Sequence, residues 1–71
     1  MNIHGLQGAS EAKLKYLDAV FRVIKPGTFV KCAITGKPIS IEELKYWSVE
    51  RQEAYIDVKA SLEAEKTASV R

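Results

Sequence analysis

One cysteine and one histidine cannot furnish a structural zinc site within this 71-residue chain, because such sites take four ligands, commonly as two short-spaced pairs. A lone cysteine also forms no intramolecular disulfide, which favours a reducing compartment. No stretch reaches the ~18 apolar residues of a membrane span, and the opening MNIHGLQGASEAK has no basic start followed by an apolar run, so it does not read as a signal peptide. A soluble cytoplasmic protein without membrane contact is expected. Glycines are few, and Gly5 and Gly8 precede no strand-turn-helix unit, which removes a phosphate-cradling loop.

Neither charge sign dominates, with a net charge of +2, but the halves differ. Residues 1–40 carry six Lys or Arg against two acids, and residues 41–71 carry five against seven. The 46% hydrophobic content suits a globule, although a chain this short gains only about 3–5 kcal/mol from its core unless metal, disulfide or self-association helps. One domain is expected at 13–66, after a flexible lead-in at 1–12 and before a frayed tail at 67–71.

Lys13-Leu14-Lys15-Tyr16-Leu17 alternates, Val20 to Ile24 is β-branched and aromatic, and Asp18-Ala19 between them suits a two-residue turn. Lys25-Pro26-Gly27-Thr28 is a second turn, with proline presetting φ and glycine accepting positive φ. The strand expected from Phe29 to Ile34 sets Val30, Cys32 and Ile34 on one core face. Thr35-Gly36-Lys37-Pro38 turns the chain again, and Ser40-Ile41-Glu42-Glu43 has capping-box spacing. Beyond it, Leu44, Tyr46 and Ser48 alternate with Lys45, Trp47 and Val49. Asp57 is a good N-cap for a last helix with Val58 and Leu62 at i and i+4. The expectation is an α+β, mostly β fold: a small antiparallel sheet of three to four strands, a one-turn helix near 40–44, and a C-terminal helix near 57–66.

The ordered series Cys32 to Ile39, Leu44 to Val49 and Gln52 to Tyr55, with Phe21-Arg22-Val23 and Lys25-Pro26-Gly27 upstream, resembles an uncharacterised bacterial family, domain of unknown function 2093. The resemblance runs from about Leu14 to Leu62. It implies a small stand-alone bacterial protein, found mainly among alphaproteobacteria, with a mostly β fold. It carries over no activity, ligand or catalytic residue.

Cys32 beside Thr35-Gly36 has the outline of half a zinc knuckle, yet it sits between aliphatics as free cysteines commonly do, so a degenerate module without metal is the furthest this feature reaches. Thiol catalysis needs a base, and His4, the sole imidazole, lies far upstream. Glu42 and Glu43 suit a helix start, and Glu50 and Glu53 a polar loop, so no acid–base pair is expected. No catalytic residue, metal or cofactor is assigned, and the chain is not expected to be an enzyme.

Two binding surfaces remain. Tyr46, Trp47, Arg51, Gln52 and Tyr55 combine residue types enriched at interface hot spots and suit an unknown protein partner or self-association. Trp47 in that set is more often a core anchor than an interface residue in so small a domain, while Tyr46 and Tyr55 stay available to a partner. Lys13, Lys15, Arg22, Lys31 and Lys37, with Lys25 nearby, could meet nucleic acid, with Tyr16, Phe21, Tyr46 and Trp47 stacking bases. The sequence favours the first surface, and with it a non-enzymatic protein-binding or adaptor domain.

Overall fold

The computed structural model describes residues 9–69. In chain order it has β1 (Lys13–Tyr16), β2 (Phe21–Lys25), β3 (Phe29–Lys31), β4 (Pro38–Ser40), a 3-10 turn (Ile41–Glu43), β5 (Tyr46–Ser48), β6 (Glu53–Tyr55) and helix α1 (Val58–Ser69). The α+β, mostly β class expected from the sequence is the one observed. The strands form three antiparallel pairs, β1–β2, β3–β4 and β5–β6.

Single parallel bridges, Glu11 to Phe29 and Cys32 to Ala54, join the pairs. At these bridges the Ala12 N–H donates to Phe29 O at 2.7 Å and the Ala33 N–H to Ala54 O at 2.8 Å. The β3 strand is therefore the hub of the fold: β4 lies along one edge, and the approach to β1 and strand β6 touch the other.

Alternation accounts for β1, where Leu14 and Tyr16 are buried and Lys13 and Lys15 exposed. The remaining core is Ala12, Val30, Cys32, Ile39, Leu44, Ala54, Tyr55, Ala60 and Ala64. Four of these are alanines, so the core is compact but thin. Asp18-Ala19 makes the expected tight turn, with the Leu17 N–H donating to Val20 O at 2.9 Å.

Several local expectations are corrected. The β3 strand stops at Lys31 because the chain folds back at Cys32, whose carbonyl accepts the Gly36 N–H at 2.9 Å; Ile34 falls in that turn and is exposed rather than on the core face. Positive φ occurs at Gly36 (76°) but not at Gly27. Gly27 is needed for close approach instead, since a Cβ there would collide with the Ala12 backbone and come within 2.6 Å of Ser10 O. The helical turn after Ser40 is 3-10, and the Ser40 hydroxyl makes no capping bond, so no capping box forms.

At the termini of the fold, Ser10 to Ala12 take part in ordered contacts: the Thr28 N–H donates to Ser10 O at 2.8 Å, and Ala12 is buried. The first eight residues of the expected lead-in lie outside the described residues, as does His4. Asp57 caps α1 as expected, its Oδ1 accepting the Ala60 N–H at 2.8 Å. The helix runs past Lys66 to Ser69. It docks through Ala60 and Ala64, whose small side chains permit close approach, and leaves Val58 and Leu62 exposed.

Candidate functional site

The residues from Tyr46 to Tyr55 come together as the sequence suggests, but of the five candidates Tyr55 is buried, Trp47 and Arg51 are half-buried, and only Tyr46 and Gln52 are exposed. Tyr55 is only 1% exposed and is the one large side chain fully buried among the described residues. Its hydroxyl donates to Glu53 Oε1 at 2.9 Å and accepts from Arg51 Nε and Nη2 at 3.2 and 3.1 Å. Arg51 Nη2 also reaches Glu65 Oε2 at 3.3 Å, so the guanidinium ties β6 to α1. Burial pushes the Tyr55 phenol up; Arg51 opposes that rise and the bond to Glu53 adds to it.

Trp47 is half-buried, and its indole N–H donates to Leu17 O at 2.8 Å. Its ring stacks on Tyr16, centroids 5.9 Å apart, and meets the Phe21 ring edge-on at 5.7 Å. Three of the four aromatics expected to stack bases thus pack on one another. Tyr16 is raised above the ordinary phenol value by burial and then by the charge of Glu11.

Gln52 sits at φ 55°, a left-handed conformation that aims its side chain back at β1. Its Oε1 accepts the Tyr16 N–H at 2.9 Å, and its Nε2 donates to Tyr16 O at 2.8 Å and to Val49 O at 2.7 Å. The amide pairs with Tyr16 as a neighbouring strand would. The Trp47 indole N–H and both ends of the Gln52 amide therefore have internal partners. Of the five residues, Tyr46 alone keeps its ring at the surface, at 36% exposure.

The basic residues are arranged differently. Lys15 lies directly opposite Arg22, and Lys13 directly opposite Lys25, in the β1–β2 pair. Directly opposed residues share a sheet face, so all four cations project from the face opposite Leu14 and Tyr16. Simple alternation would have sent Lys25 to the side of Phe21 and Val23. A register shift between Lys13 and Leu14 slips it across.

All four are exposed, and among the described residues none of them is in an ion pair; the ion pairs there are Arg51 with Glu53 and Arg51 with Glu65. Glu11 shares a cleft of about 320 Å³ with Lys13 and Lys25 without pairing to either. Lys31 joins Lys13 along an adjoining cleft of about 270 Å³, floored by Leu14, Val30 and Ala54. Lys37 does not join them; it lies in the Cys32–Pro38 turn, its N–H on the Thr35 hydroxyl at 3.2 Å.

That turn wraps the Cys32 sulfur. The Thr35 N–H donates to Sγ at 3.4 Å, and the thiol is 2% exposed. Burial pushes it up, but hydrogen bonds from the Thr35 hydroxyl and from the amides of Thr35, Ile56 and Ile34 outweigh that and hold it below the ordinary thiol value. Among the described residues, however, no group of three or more His, Cys, Asp or Glu is placed to hold a metal ion.

The family model described as an uncharacterised protein conserved in bacteria, DUF2093, matches residues 23–64, more than half of the chain. The chain belongs to this family. The DUF2093 match takes in β3 to β6, most of α1, the Cys32 turn and the whole Tyr46–Tyr55 hairpin. Lys13, Lys15 and Arg22 lie before it, whereas Lys25 and Lys31 lie within it. No curated protein and no solved structure matches the chain. No helix among the described residues is long and apolar enough to cross a membrane.

Proposed function

We propose that this DUF2093 protein is a binding module, not an enzyme, and that its basic β1–β2 face engages the phosphate backbone of nucleic acid. The observation that carries the reading is the pair of cross-strand cation contacts, Lys15 with Arg22 and Lys13 with Lys25, unrelieved by any ion pair among the described residues. Like charges directly opposed across a strand pair are destabilising, so the fold tolerates a cost that a bound polyanion removes. Residues 13–25 carry four cations against Asp18, a local charge of +3 within a chain of only +2.

Tyr16, Phe21 and Trp47 lie together on the opposite side of the hairpin, so the cation face offers phosphate contacts and no base-stacking platform. The expected binding is therefore insensitive to base sequence and strongly sensitive to salt. A cytoplasmic setting belongs to the same proposal, and the buried free thiol of Cys32 suits it.

Fluorescence anisotropy with a labelled mixed-sequence duplex tests this across added salt. Four phosphate contacts give a log–log salt slope of about −3 to −4, and Lys15→Glu weakens binding and flattens that slope by about one per cation removed. Affinity that ignores salt, or that Lys15→Glu leaves unchanged, rules the reading out. A protein contact through the Tyr46–Tyr55 hairpin is the lesser reading, favoured only by the exposed ring of Tyr46. It predicts a partner recovered by the native chain and lost with Tyr46→Ala.

A further inference from the structure

The second strand of the basic hairpin is half-made. In β1, Leu14 and Tyr16 are buried, but β2 has no buried residue, and Val20, Val23 and Ile24 are 58%, 55% and 61% exposed. Among the described residues the strand is paired on one edge only. Since the Leu17 N–H bonds Val20 O, antiparallel alternation turns the backbone of Arg22 toward β1 and that of Phe21 and Val23 outward. Tyr16, opposite Phe21, follows the same alternation and turns its own backbone groups outward onto Gln52. Among the described residues no such partner covers Val23.

We infer that this open edge of β2 pairs with β2 of a second copy of the chain when a polyanion lies across the basic face; the inference rests on the phosphate-binding reading above. Left alone, the edge is guarded by Arg22 and Lys25, which repel their counterparts, as charged residues on edge strands commonly do. Three apolar side chains per copy also fall far short of the roughly 800 Å² per partner of a stable interface. The free chain is therefore a monomer.

A polyanion changes both terms. The two-fold axis of an antiparallel strand pair within one sheet stands perpendicular to that sheet, so both cation faces look to the same side. Phosphates along one polymer then screen the two copies together. With the axis at Val23, Arg22 falls opposite Ile24 of the second copy, and no cation opposes a cation across the new seam. The result is a four-stranded sheet, β1–β2–β2–β1, with a basic face twice as wide. By linkage, whatever the polymer contributes to pairing, pairing returns to polymer affinity.

The test is sedimentation velocity and anisotropy on the full chain, with and without a duplex of roughly 20 base pairs, about two helical turns. The free chain should sediment as a monomer, and two copies should load cooperatively, with a Hill coefficient approaching two. Val23→Pro deletes an N–H that the monomer does not use; it should reduce the coefficient to one while leaving the affinity of the first copy within about twofold. Should that variant unfold, Ile24→Lys on the same strand gives the same readout by adding a guarding charge. Independent loading by the native chain, cooperativity that survives both substitutions, or a dimer without duplex overturns the inference and leaves phosphate binding standing. Absence of duplex affinity overturns the phosphate-binding reading itself.

Discussion

The β5–β6 hairpin and the β1–β2 hairpin are close in length, yet one directs its distinctive groups inward and the other outward. In β5–β6, Tyr55 is buried to 1%, the Trp47 indole is bonded to Leu17, the Gln52 amide to Tyr16, and the Arg51 guanidinium to Tyr55 and Glu65. In β1–β2, only Leu14 and Tyr16 are buried and Phe21 packs half-buried against the core, while four cations and three β-branched side chains stay exposed without an ion pair among the described residues. Aromatic and arginine residues mark interfaces in large proteins because the core there is already filled. In a domain whose core is four-elevenths alanine, they are needed as structure.

The largest expected effect breaks the contrast from the inside. Tyr55→Ala should cost about 3–5 kcal/mol, as emptying a buried aromatic site does, whereas Ile24→Ala in the exposed β2 should stay within about 0.5 kcal/mol. Urea unfolding of both variants checks this. Equal losses would mean that the hairpins share the core evenly. Gln52→Gly comes next: it keeps the left-handed backbone available and removes only the amide, leaving the Tyr16 N–H and C=O unpaired at about 1–3 kcal/mol. Amide exchange at Tyr16 should accelerate in parallel, and a protected Tyr16 amide would show that Gln52 is not its partner.

A smaller change of opposite sign sharpens the contrast. Lys15→Glu replaces a like-charge pair with an attractive one, so it should stabilise by about 0.2–1 kcal/mol while weakening duplex binding. Stability and binding moving the same way would remove the idea that the cation pairs are kept at a cost. The last effect is silent at neutral pH. Tyr16 and Tyr55 have folded values above their ordinary one, so the folded state holds their protons longer than the unfolded chain does. Their contribution is fully present below the ordinary tyrosine value of about 10 and is lost as pH rises through the folded values. A denaturation midpoint that falls above pH ~10, and falls less in Tyr55→Phe, is the expected record.

Much of the architecture was legible in sequence because it rests on short-range rules. Alternation located β1, the Asp18-Ala19 dipeptide turned it, and Asp57 capped α1, each through neighbours within a few positions. Ile34 was misjudged because alternation runs on until something stops it, and the return of the chain at Cys32 is visible only in three dimensions. The i and i+4 spacing of Val58 and Leu62 marks a helix but not which of its faces docks, and the alanines Ala60 and Ala64 allow the closer approach. The candidate sites were legible as lists of residues and not as surfaces. Tyr55 and Gln52 are polar or amphipathic by type, and nothing local says that their partners lie inside the fold.

By itself, then, the chain's order of residues determined the class of fold, the turns, the helix cap and the supply of cations near its start, since these follow from backbone preference and period. Only the tertiary structure decided which groups were consumed by the core. It also set Lys25 beside Lys13 through a slip in strand register, and left β2 with an open edge. Register and burial depend on contacts between residues distant along the chain, and such contacts have no local signature to read.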